Sequence, residues 1–204
     1  MDTLLDTTKE AGRRQLYSSL IFKPLTYFLF VLLSSVIPLY GQSPSPKQEE
    51  EYVCLPCGSD CDHDVFHQAG TCPHCGMRLV EKRSIRFQNI TPAELCKIVA
   101  ARPNVLLLDV RTPQEFDGKA TEKFGRLKNA INIPVQQLEN RLAELESAKG
   151  KEIIVYCSHS HRSPRASHIL TEHGFMNVKN MSGGMSTWAE SVGDSSMGKA
   201  LLIK

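Results

Sequence analysis

The sequence predicts an α/β fold with a parallel sheet flanked by helices, over residues 84–192. Three observations predict it. Short apolar runs alternate with amphipathic segments, helix-start motifs follow the apolar runs, and Val105 to Val110, VLLLDV, is an apolar run without alternation of polar and apolar residues. A strand that is covered on both faces has such a continuous apolar pattern. Because strands and helices alternate along the chain, the strands are expected to be parallel.

The predicted elements follow one another in a regular order. Thr91-Pro92-Ala-Glu94 is a capping box with proline at the first helical position, and it opens a helix that ends near Arg102. Thr112-Pro113-Gln-Glu115 starts a second, shorter helix in the same way. The remaining elements are strands at 105–110, 130–133 and 153–156, a helix at 135–147, and a helix from Ser163-Pro164 to Gly174.

Composition divides the whole chain into five segments. They are a signal peptide or membrane anchor at 1–41, a Pro/Ser/Glu linker at 42–51, a cysteine-rich module at 52–82, the α/β domain at 84–192, and a C-terminal tail at 193–204. Of the 204 residues, 41% are hydrophobic and 23% are charged, as in an ordinary globular protein. The net charge is only +2, so nucleic acid is not expected as a partner.

The N-terminal segment is typical of an export signal. Residues 25–39 carry no charge, follow several basic residues and precede a small, polar stretch that begins at Gly41. A membrane-spanning helix needs about 20 apolar residues, and Pro38 falls inside this run. Cleavage near Gly41 is therefore favoured, and membrane attachment through residues 20–40 is the alternative. In either case we expect an exported protein, periplasmic or anchored facing the periplasm.

The cysteine-rich module carries two Cys-x2-Cys knuckles. Cys54 and Cys57 form the first, and Cys72 and Cys75 form the second after 14 intervening residues. Two such turns supply the four thiolates that zinc prefers, and a segment of about 30 residues needs the metal in order to fold. We expect Zn²⁺ on these four cysteines, with Cu⁺ or another soft heavy metal as the alternative. A pair of disulfides is the competing interpretation.

The second knuckle belongs to a longer pattern. Residues 70–79, GTCPHCGMRL, follow Tyr52-Val-Cys54 and match the pattern G-x-C-P-x-C-G-M-x-L. In these residues the module resembles the heavy-metal-binding domain of copper and heavy-metal efflux proteins, whereas its first half departs from that family at Cys57. The resemblance implies a metal site and leaves the metal open. Cys61 and His63 are surplus to four ligands, either as alternative ligands for a softer metal or as uncommitted side chains.

Cys157 is the candidate nucleophile of the α/β domain. It follows the strand at 153–156, and ligands of parallel sheets bind beyond the carboxyl ends of the strands. The loop from Cys157 to Ser163 leads into the helix opened by Pro164. Its backbone N–H groups, the helix N-terminus and the charge of Arg162 are expected to stabilise an anionic sulfur. The pattern therefore predicts that Cys157 reacts as a thiolate at neutral pH.

Several further motifs occur in a fixed order around this cysteine. They are Leu108-Asp-Val-Arg111, Glu115-Phe116, Ala130-Ile-Asn-Ile-Pro134, the loop from Cys157 to Ser163, and Gly183-Gly-Met185 with Trp188. In these motifs the chain resembles the rhodanese family of sulfurtransferases. The resemblance implies a five-stranded parallel sheet flanked by helices. It also implies a reaction in which Cys157 takes sulfane sulfur from a small-molecule donor such as thiosulfate and passes it to a thiophilic acceptor.

The same resemblance assigns roles within the loop. Cys157 is the nucleophile, Arg162 contributes charge, and the persulfide is cradled by the backbone amides of the loop residues Ser158, His159, Ser160, His161 and Ser163. Four residues separate Cys157 from Arg162, one fewer than in the related dual-specificity phosphatases, and this disfavours phosphate-ester hydrolysis.

Three polar positions carry further expectations. Ser160 stands where many active family members have glycine, so a positive φ at this position would strain the loop. This keeps an alternative open, an exported metal-binding or trafficking protein whose rhodanese-like domain is catalytically silent and docks a partner. Asp109 and Arg111, at the end of a buried strand, are expected to be structural. Asp109 would accept backbone N–H groups, and Arg111 would form an ion pair that supports the loop.

Overall fold

The computed structural model describes residues 49–204, and every structural statement below concerns this part of the chain. The predicted signal or anchor at 1–41 and most of the linker at 42–51 lie outside it. Within the described part, no helix is long and apolar enough to cross a membrane. Export, cleavage and the predicted segment boundaries stay predictions.

The cysteine-rich segment folds as three short antiparallel strands. Strand β1 (Tyr52–Val53) pairs with both β2 (Val65–Phe66) and β3 (Val80–Glu81), and a 3₁₀ helix, Asp60–His63, lies between β1 and β2. The buried residues at its centre are Cys54, Cys61, Cys72 and Leu79. Since leucine is the only aliphatic residue among these four, the segment has little of a conventional hydrophobic core.

The α/β domain contains the predicted five-stranded parallel sheet. The remaining strands are β4 (Gln88–Ile90), β5 (Leu106–Asp109), β6 (Arg126–Leu127), β7 (Ile131–Asn132), β8 (Ile153–Tyr156), β9 (Val178–Met181) and β10 (Leu202–Ile203). The sheet has the order β4-β9-β8-β5-β7, and all its pairs are parallel. The central strand β8 is buried along its whole length. These observations confirm the predicted fold class.

The helices begin largely where the sequence predicts. They are α1 (Pro92–Ala101), α2 (Pro113–Phe116), α3 (Ser163–Glu172), α4 (Trp188–Val192) and α5 (Ser196–Leu201), with further 3₁₀ helices at Lys82–Ser84, Glu139–Ala148 and Gly184–Thr187. Both predicted capping boxes form. The α-helix predicted at 135–147 is instead the 3₁₀ helix at 139–148. Bonds between residues three apart begin with Gln137 on Pro134 and continue with Arg141 on Leu138, in the 3₁₀ pattern.

Within the five-stranded sheet, the two strands that periodicity did not predict are β4 and β9. Strand β9 reads VKNM, and its polar residues interrupt the apolar run that marked the other strands. These polar side chains bind the neighbouring strand. Lys179 Nζ donates to Gln88 Oε1 at 2.7 Å, and Asn180 Nδ2 donates to Asn89 Oδ1 at 2.8 Å. Cross-strand pairing of polar side chains therefore adds to the burial of Ile90, Val178 and Met181 in this pair.

Helices cover both faces of the sheet, and each face has its own hydrophobic cluster. Val155 packs on one face with Leu170 and Cys157, whereas Ile154 packs on the other with Trp188. Adjacent residues of β8 thus point to opposite faces. The predicted tail at 193–204 also joins the fold, because α5 contributes the buried Leu201 and β10 pairs antiparallel with β6.

Candidate active site and metal centre

Cys157 lies at the carboxyl end of β8, where the sequence places it. None of its side-chain surface is exposed (0%), and it packs among the aliphatic residues of one hydrophobic cluster. Its Sγ lies 3.4 Å from Ser163 Oγ, in the first turn of α3. The sulfur therefore sits between the central strand and a helix N-terminus, and the surrounding loop decides what reaches it.

The loop leaves its backbone donors unused. In the part of the chain that the structure describes, the backbone N–H groups of residues 158–163 have no hydrogen-bond acceptor. Helix α3 also begins without a side-chain cap. Free N–H groups at a helix N-terminus stabilise a nearby anion. The loop therefore offers donors for a negatively charged sulfur carried by Cys157.

Arg162 is bound to Glu115. Arg162 Nη1 and Nη2 each donate to one oxygen of the Glu115 carboxylate at 2.7 Å, and Ser158 Oγ donates to Glu115 Oε1 at 2.9 Å. The Arg162 guanidinium holds the pKa of Glu115 well below its usual range, and the Thr112 amide at the start of α2 acts in the same direction. Because the two charges are paired, Arg162 braces the loop, and a direct electrostatic role for it stays a prediction.

Glu115 is a site residue that the sequence reasoning missed. Its spacing after Thr112 marked it as a capping-box residue, and this role is confirmed. The capping box gave no sign that the same carboxylate also holds Ser158 and Arg162. Glu115 therefore ties the cap of α2 to the loop after β8, 43 and 47 residues further along the chain.

Ser160 has the positive φ that its position required. In residues 49–204, two non-glycine residues have a positive φ, Asn129 at 62° and Ser160 at 61°. The left-handed conformation costs a non-glycine residue about 1 kcal/mol. Asn180 Nδ2 donates to Ser160 Oγ at 3.2 Å. Ser160 thus keeps the backbone shape that glycine would give, with a side-chain contact of its own.

The turn after β9 packs against the first residues of the loop. Met185 N–H donates to the Cys157 carbonyl at 2.9 Å, and Ser186 N–H donates to the Ser158 carbonyl at 2.8 Å. Gly184 lies so close that a Cβ there would be 2.5 Å from the Ser158 oxygen. Only glycine fits between these backbones, which explains part of the Gly183-Gly-Met185 motif.

Arg111 forms the ion pair that the sequence predicts, and its partner is Asp109. Both side chains are fully buried, and Arg111 Nη2 donates to Asp109 Oδ2 at 2.6 Å and to the Gly125 carbonyl at 2.8 Å. Asp109 Oδ1 also accepts the Arg111 backbone N–H at 3.0 Å. The pair holds the segment before β6 against the end of β5, and it makes no contact with Cys157 through these bonds.

Four cysteines of the module form a candidate metal centre. The Sγ atoms of Cys54, Cys61, Cys72 and Cys75 all lie within 4.8 Å of one another. The set differs from the predicted one at a single position, since Cys61 takes the place expected for Cys57. Cys57 Sγ lies beside it, 3.7 Å from Cys61 Sγ.

Asp62 accounts for the exchange of the two cysteines. Its carboxylate accepts the Cys57 N–H at 2.8 Å and the Gly58 N–H at 2.9 Å, and this fixes the turn that follows the first knuckle. The 3₁₀ helix at 60–63 then directs Cys61, which is fully buried, into the cluster. His63, the other surplus candidate, is exposed. The Cys-x2-Cys spacing pointed to Cys57, because spacing along the chain does not show that the 3₁₀ helix at 60–63 turns Cys61 toward the other sulfurs.

The sulfur geometry fits a metal. Cys54 Sγ and Cys75 Sγ are 3.3 Å apart, and all seven cysteines, which lie in the described part, are free thiols. A disulfide needs about 2.05 Å, whereas Zn–S bonds of about 2.3 Å in a tetrahedron separate two sulfurs by about 3.8 Å. Thiolates bind the metal, and hydrogen bonds led by the Met77 backbone amide lower the pKa of Cys75 to about 6.

Electrostatics also favour a cation among these sulfurs. Burial raises the pKa of the Cys54 thiol and raises that of Cys61 to about 12. Several neighbouring thiols cannot all ionise in a buried cluster without a positive charge between them. A soft divalent cation would supply this charge, so the donor set fits zinc without identifying the metal.

The fold and the site together define a class of protein. It is a parallel α/β domain that presents a cysteine on the loop between its central strand and a helix. The family model for the rhodanese-like domain matches residues 91–191. The chain belongs to the rhodanese-like family. The match leaves the cysteine-rich segment at 52–82 outside, so its resemblance to a heavy-metal-binding domain stays a prediction.

Individual relatives match parts of the chain. A sulfurtransferase of Allochromatium vinosum is 30% identical over 100 residues, which are 49% of this chain and 86% of that protein. The protein YqhL of Bacillus subtilis is 38% identical over 82 residues, 40% of this chain and 59% of that protein. A tRNA uridine(34) hydroxylase of Cytophaga hutchinsonii is 30% identical over 115 residues, 55% of this chain. The chain spans 35% of the length of that hydroxylase.

Proposed function

We propose that this protein is a sulfurtransferase in which Cys157 carries sulfane sulfur from a small-molecule donor, such as thiosulfate, to a thiophilic acceptor. The observation that carries the proposal is the position of Cys157 Sγ, 3.4 Å from Ser163 Oγ and beside a loop with free backbone N–H groups. Family membership and the sulfurtransferase of Allochromatium vinosum support the same reaction class.

The reaction needs no oxidant or reductant. The Cys157 thiolate attacks the outer sulfur of thiosulfate, the S–S bond of the donor breaks, and sulfite leaves with the electron pair. Cys157 then carries a persulfide, whose terminal sulfur is anionic and accepts hydrogen bonds from the loop amides. A thiophile such as cyanide attacks that terminal sulfur, and the electron pair of the breaking S–S bond returns to Cys157.

Side chains of the loop and of α2 position the sulfur and the loop amides. The Ser163 hydroxyl is placed to donate to the Cys157 thiolate. The Arg162–Glu115 ion pair, with Ser158 bound to the same carboxylate, holds both sides of the loop. These contacts fix the amides before the sulfur arrives, which lowers the cost of stabilising its charge.

Mass spectrometry of the full chain tests the proposal. After incubation with thiosulfate, the intact mass should rise by one sulfur atom, and added cyanide should release thiocyanate. Cys157→Ala should abolish both results. Cys96→Ala is the matched control, because Cys96 is a buried thiol in α1 with no place in the loop. Absence of both the adduct and thiocyanate would remove the proposal.

A second candidate function is metal binding or trafficking with a catalytically silent rhodanese-like domain. The observation that favours it is the full burial of Cys157. This candidate predicts a chain that holds metal on its cysteine cluster and takes up no sulfur. The thiosulfate experiment, together with metal analysis of the same sample, separates the two functions.

We also propose that the metal is Zn²⁺ in a structural role. Cys54, Cys61, Cys72 and Cys75 would hold it, and it would supply the crosslink that a segment with so small a core lacks. The predicted export fits a protein whose natural sulfur donor is met outside the cytoplasm.

A further inference from the structure

The cysteine-rich module touches the rim of the loop that carries Cys157. The contact joins Gly58, in the turn after the first knuckle, to the ring of His161. A Cβ at position 58 would lie 2.2 Å from His161 Nε2, 2.7 Å from Cε1 and 2.9 Å from Cδ2. The ring therefore occupies the space that a side chain at position 58 would need. Both residues keep exposed surface, which places the contact at the edge of the loop.

His161 belongs to a row of rings that continues away from the module. Its ring stacks on His159 with centroids 5.9 Å apart, and His159 meets the edge of Phe124 at 5.4 Å. His159 Nε2 also lies 3.7 Å from Glu122 Oε1. The row thus spans from the module to the segment between α2 and β6. Cys157 and Ser158, at the start of the same loop, expose 0% and 1% of their surface.

The turn that carries Gly58 is held in place within the module. The carboxylate of Asp62 accepts hydrogen bonds from the backbone amides of Cys57 and Gly58. Its neighbour Cys61, in the same 3₁₀ helix, belongs to the sulfur cluster. The position of Gly58 is therefore fixed within the module. His161, in contrast, is a side chain that can rotate, so it is the part of the contact that opens or closes.

We propose that this turn of the module is the outer wall of the entrance to Cys157, and that Gly58 and His161 restrict the sulfur donor to small molecules. The proposal rests on the proposed function and names its substrate class. Low-molecular-weight sulfane donors of the size of thiosulfate pass the ring row, whereas glutathione persulfide and protein persulfides are excluded by size.

The glycines of the two knuckles provide a matched pair for the test. Gly58 and Gly76 each follow a cysteine of a knuckle and have φ of 81° and 73°. A Cβ at Gly76 would meet no atom within 4 Å, whereas a Cβ at Gly58 would meet His161. Alanine at either position therefore has the same backbone strain, and only Gly58→Ala disturbs the ring.

The experiment compares small and bulky reagents at Cys157 in the full chain. Alkylation by iodoacetamide and by a bulky maleimide is timed on the tryptic peptide 152–162, which separates Cys157 from the module cysteines. Persulfide loading by thiosulfate and by glutathione persulfide is measured on the same peptide. Metal content is determined for every variant, to verify that the module is intact.

His161→Ala should raise the rate with the bulky reagents relative to the small ones by about tenfold, the scale of steric discrimination in a pocket. Gly58→Ala should shift the same ratio in the wild-type background and leave it unchanged in the His161→Ala background. Gly76→Ala should leave the ratio unchanged in both. An unchanged ratio in His161→Ala, or equal effects of Gly58→Ala in both backgrounds, would overturn the proposal.

The alkylation and the persulfide-loading measurements distinguish this proposal from the proposed sulfurtransferase function. If alkylation follows the expected pattern but neither donor loads sulfur, the wall stands and the sulfurtransferase proposal fails. If thiosulfate loads Cys157 but His161→Ala leaves the ratio of bulky to small reagent rates unchanged, the sulfurtransferase function is supported and the proposed entrance wall is wrong.

Discussion

At the scale of single residues, the backbone conformation of Ser160 and the position of Cys61 shape the loop and the sulfur cluster. Ser160 adopts a left-handed conformation and binds Asn180. Cys61 replaces Cys57 in the sulfur cluster because Asp62 fixes the intervening turn. The sequence pattern singled out neither the bond from Asn180 to Ser160 nor the place of Cys61 among the four sulfurs.

Ser160 can be tested by paired substitutions. Ser160→Gly removes the left-handed strain and the hydroxyl, whereas Ser160→Ala removes only the hydroxyl. We expect the glycine variant to be more stable than the alanine variant by about 1 kcal/mol. Urea unfolding of the two variants measures this difference. Equal stabilities would show that position 160 relaxes out of the left-handed region.

The ligand set can be tested by exchanging one sulfur at a time. Cys61→Ser should greatly reduce the bound metal, because it removes a member of the buried four-sulfur set. Cys57→Ser should retain the metal, since its sulfur lies outside that set. Elemental analysis of the two purified proteins gives the result. Loss of metal in Cys57→Ser alone would restore the assignment based on the Cys-x2-Cys spacing.

At the scale of elements, the cap of α2 and the loop before α3 form one unit. Glu115 closes the capping box with Thr112 and also binds Arg162 and Ser158. The position of the loop therefore depends on a helix of only four residues that lies well before it in the chain. Glu94 closes the same kind of capping box in α1 and is exposed, which makes it a natural comparison.

Glu115→Gln should slow sulfur transfer by about tenfold or more, because the loop amides lose their fixed positions. Glu94→Gln perturbs a capping box without a loop contact and should retain the wild-type rate. Thiocyanate formation measures both, and the KM for thiosulfate separates weaker binding from slower transfer. Equal rates in the two variants would remove Glu115 as a positioning residue.

The Glu115–Arg162 pair also gives a pH dependence with a defined sign. Arg162 lowers the pKa of Glu115 in the folded protein below the ordinary value of 4.5. A group whose pKa is lowered on folding contributes stability above its unfolded pKa and loses it as the pH falls toward the folded pKa.

We therefore expect the stability difference between wild type and Glu115→Gln to be constant near pH 7 and to shrink as the pH falls below 4.5. Urea unfolding of both proteins across this range measures the difference. A difference that grows on acidification would contradict the assigned ion pair.

At the scale of the whole molecule, the module packs beside the α/β domain in two places. One is the contact of Gly58 with His161, and the other is a groove of about 860 Å³ between the module and α3. Met77 and Leu79 line the groove from the module, and Ile169 and Glu172 line it from α3. The module is thus positioned to influence the loop although it contributes no strand to the main sheet.

Removal of the metal should affect the two parts differently. A strong chelator under reducing conditions should raise amide hydrogen exchange in residues 52–82, because the module has little core besides its sulfurs. Strand β8 should keep its protection, since its burial does not depend on the cysteines. Exchange mass spectrometry resolves the two regions. Unchanged exchange in 52–82 would show that the module folds without metal.

Sequence patterns predicted the elements whose cause is local. Strand β8 was predicted from its apolar run, and α1, α2 and α3 from proline and capping residues at their starts. Strands β4 and β9 were not predicted because polar residues, whose partners lie across the sheet, interrupt their apolar pattern. The 3₁₀ helix at 139–148 was predicted as an α-helix because hydrophobic periodicity does not distinguish the two over one short segment.

The amino-acid sequence alone determined the fold class, the family and the position of Cys157, because these follow from local periodicity and from the order of short motifs along the chain. Tertiary structure decided which sulfur joins the cluster, how Glu115 holds the loop, and that Gly58 meets His161. Each of these is a contact between residues that a turn or a sheet brings together. Spacing along the chain does not specify such contacts, since they depend on the direction each side chain takes after folding.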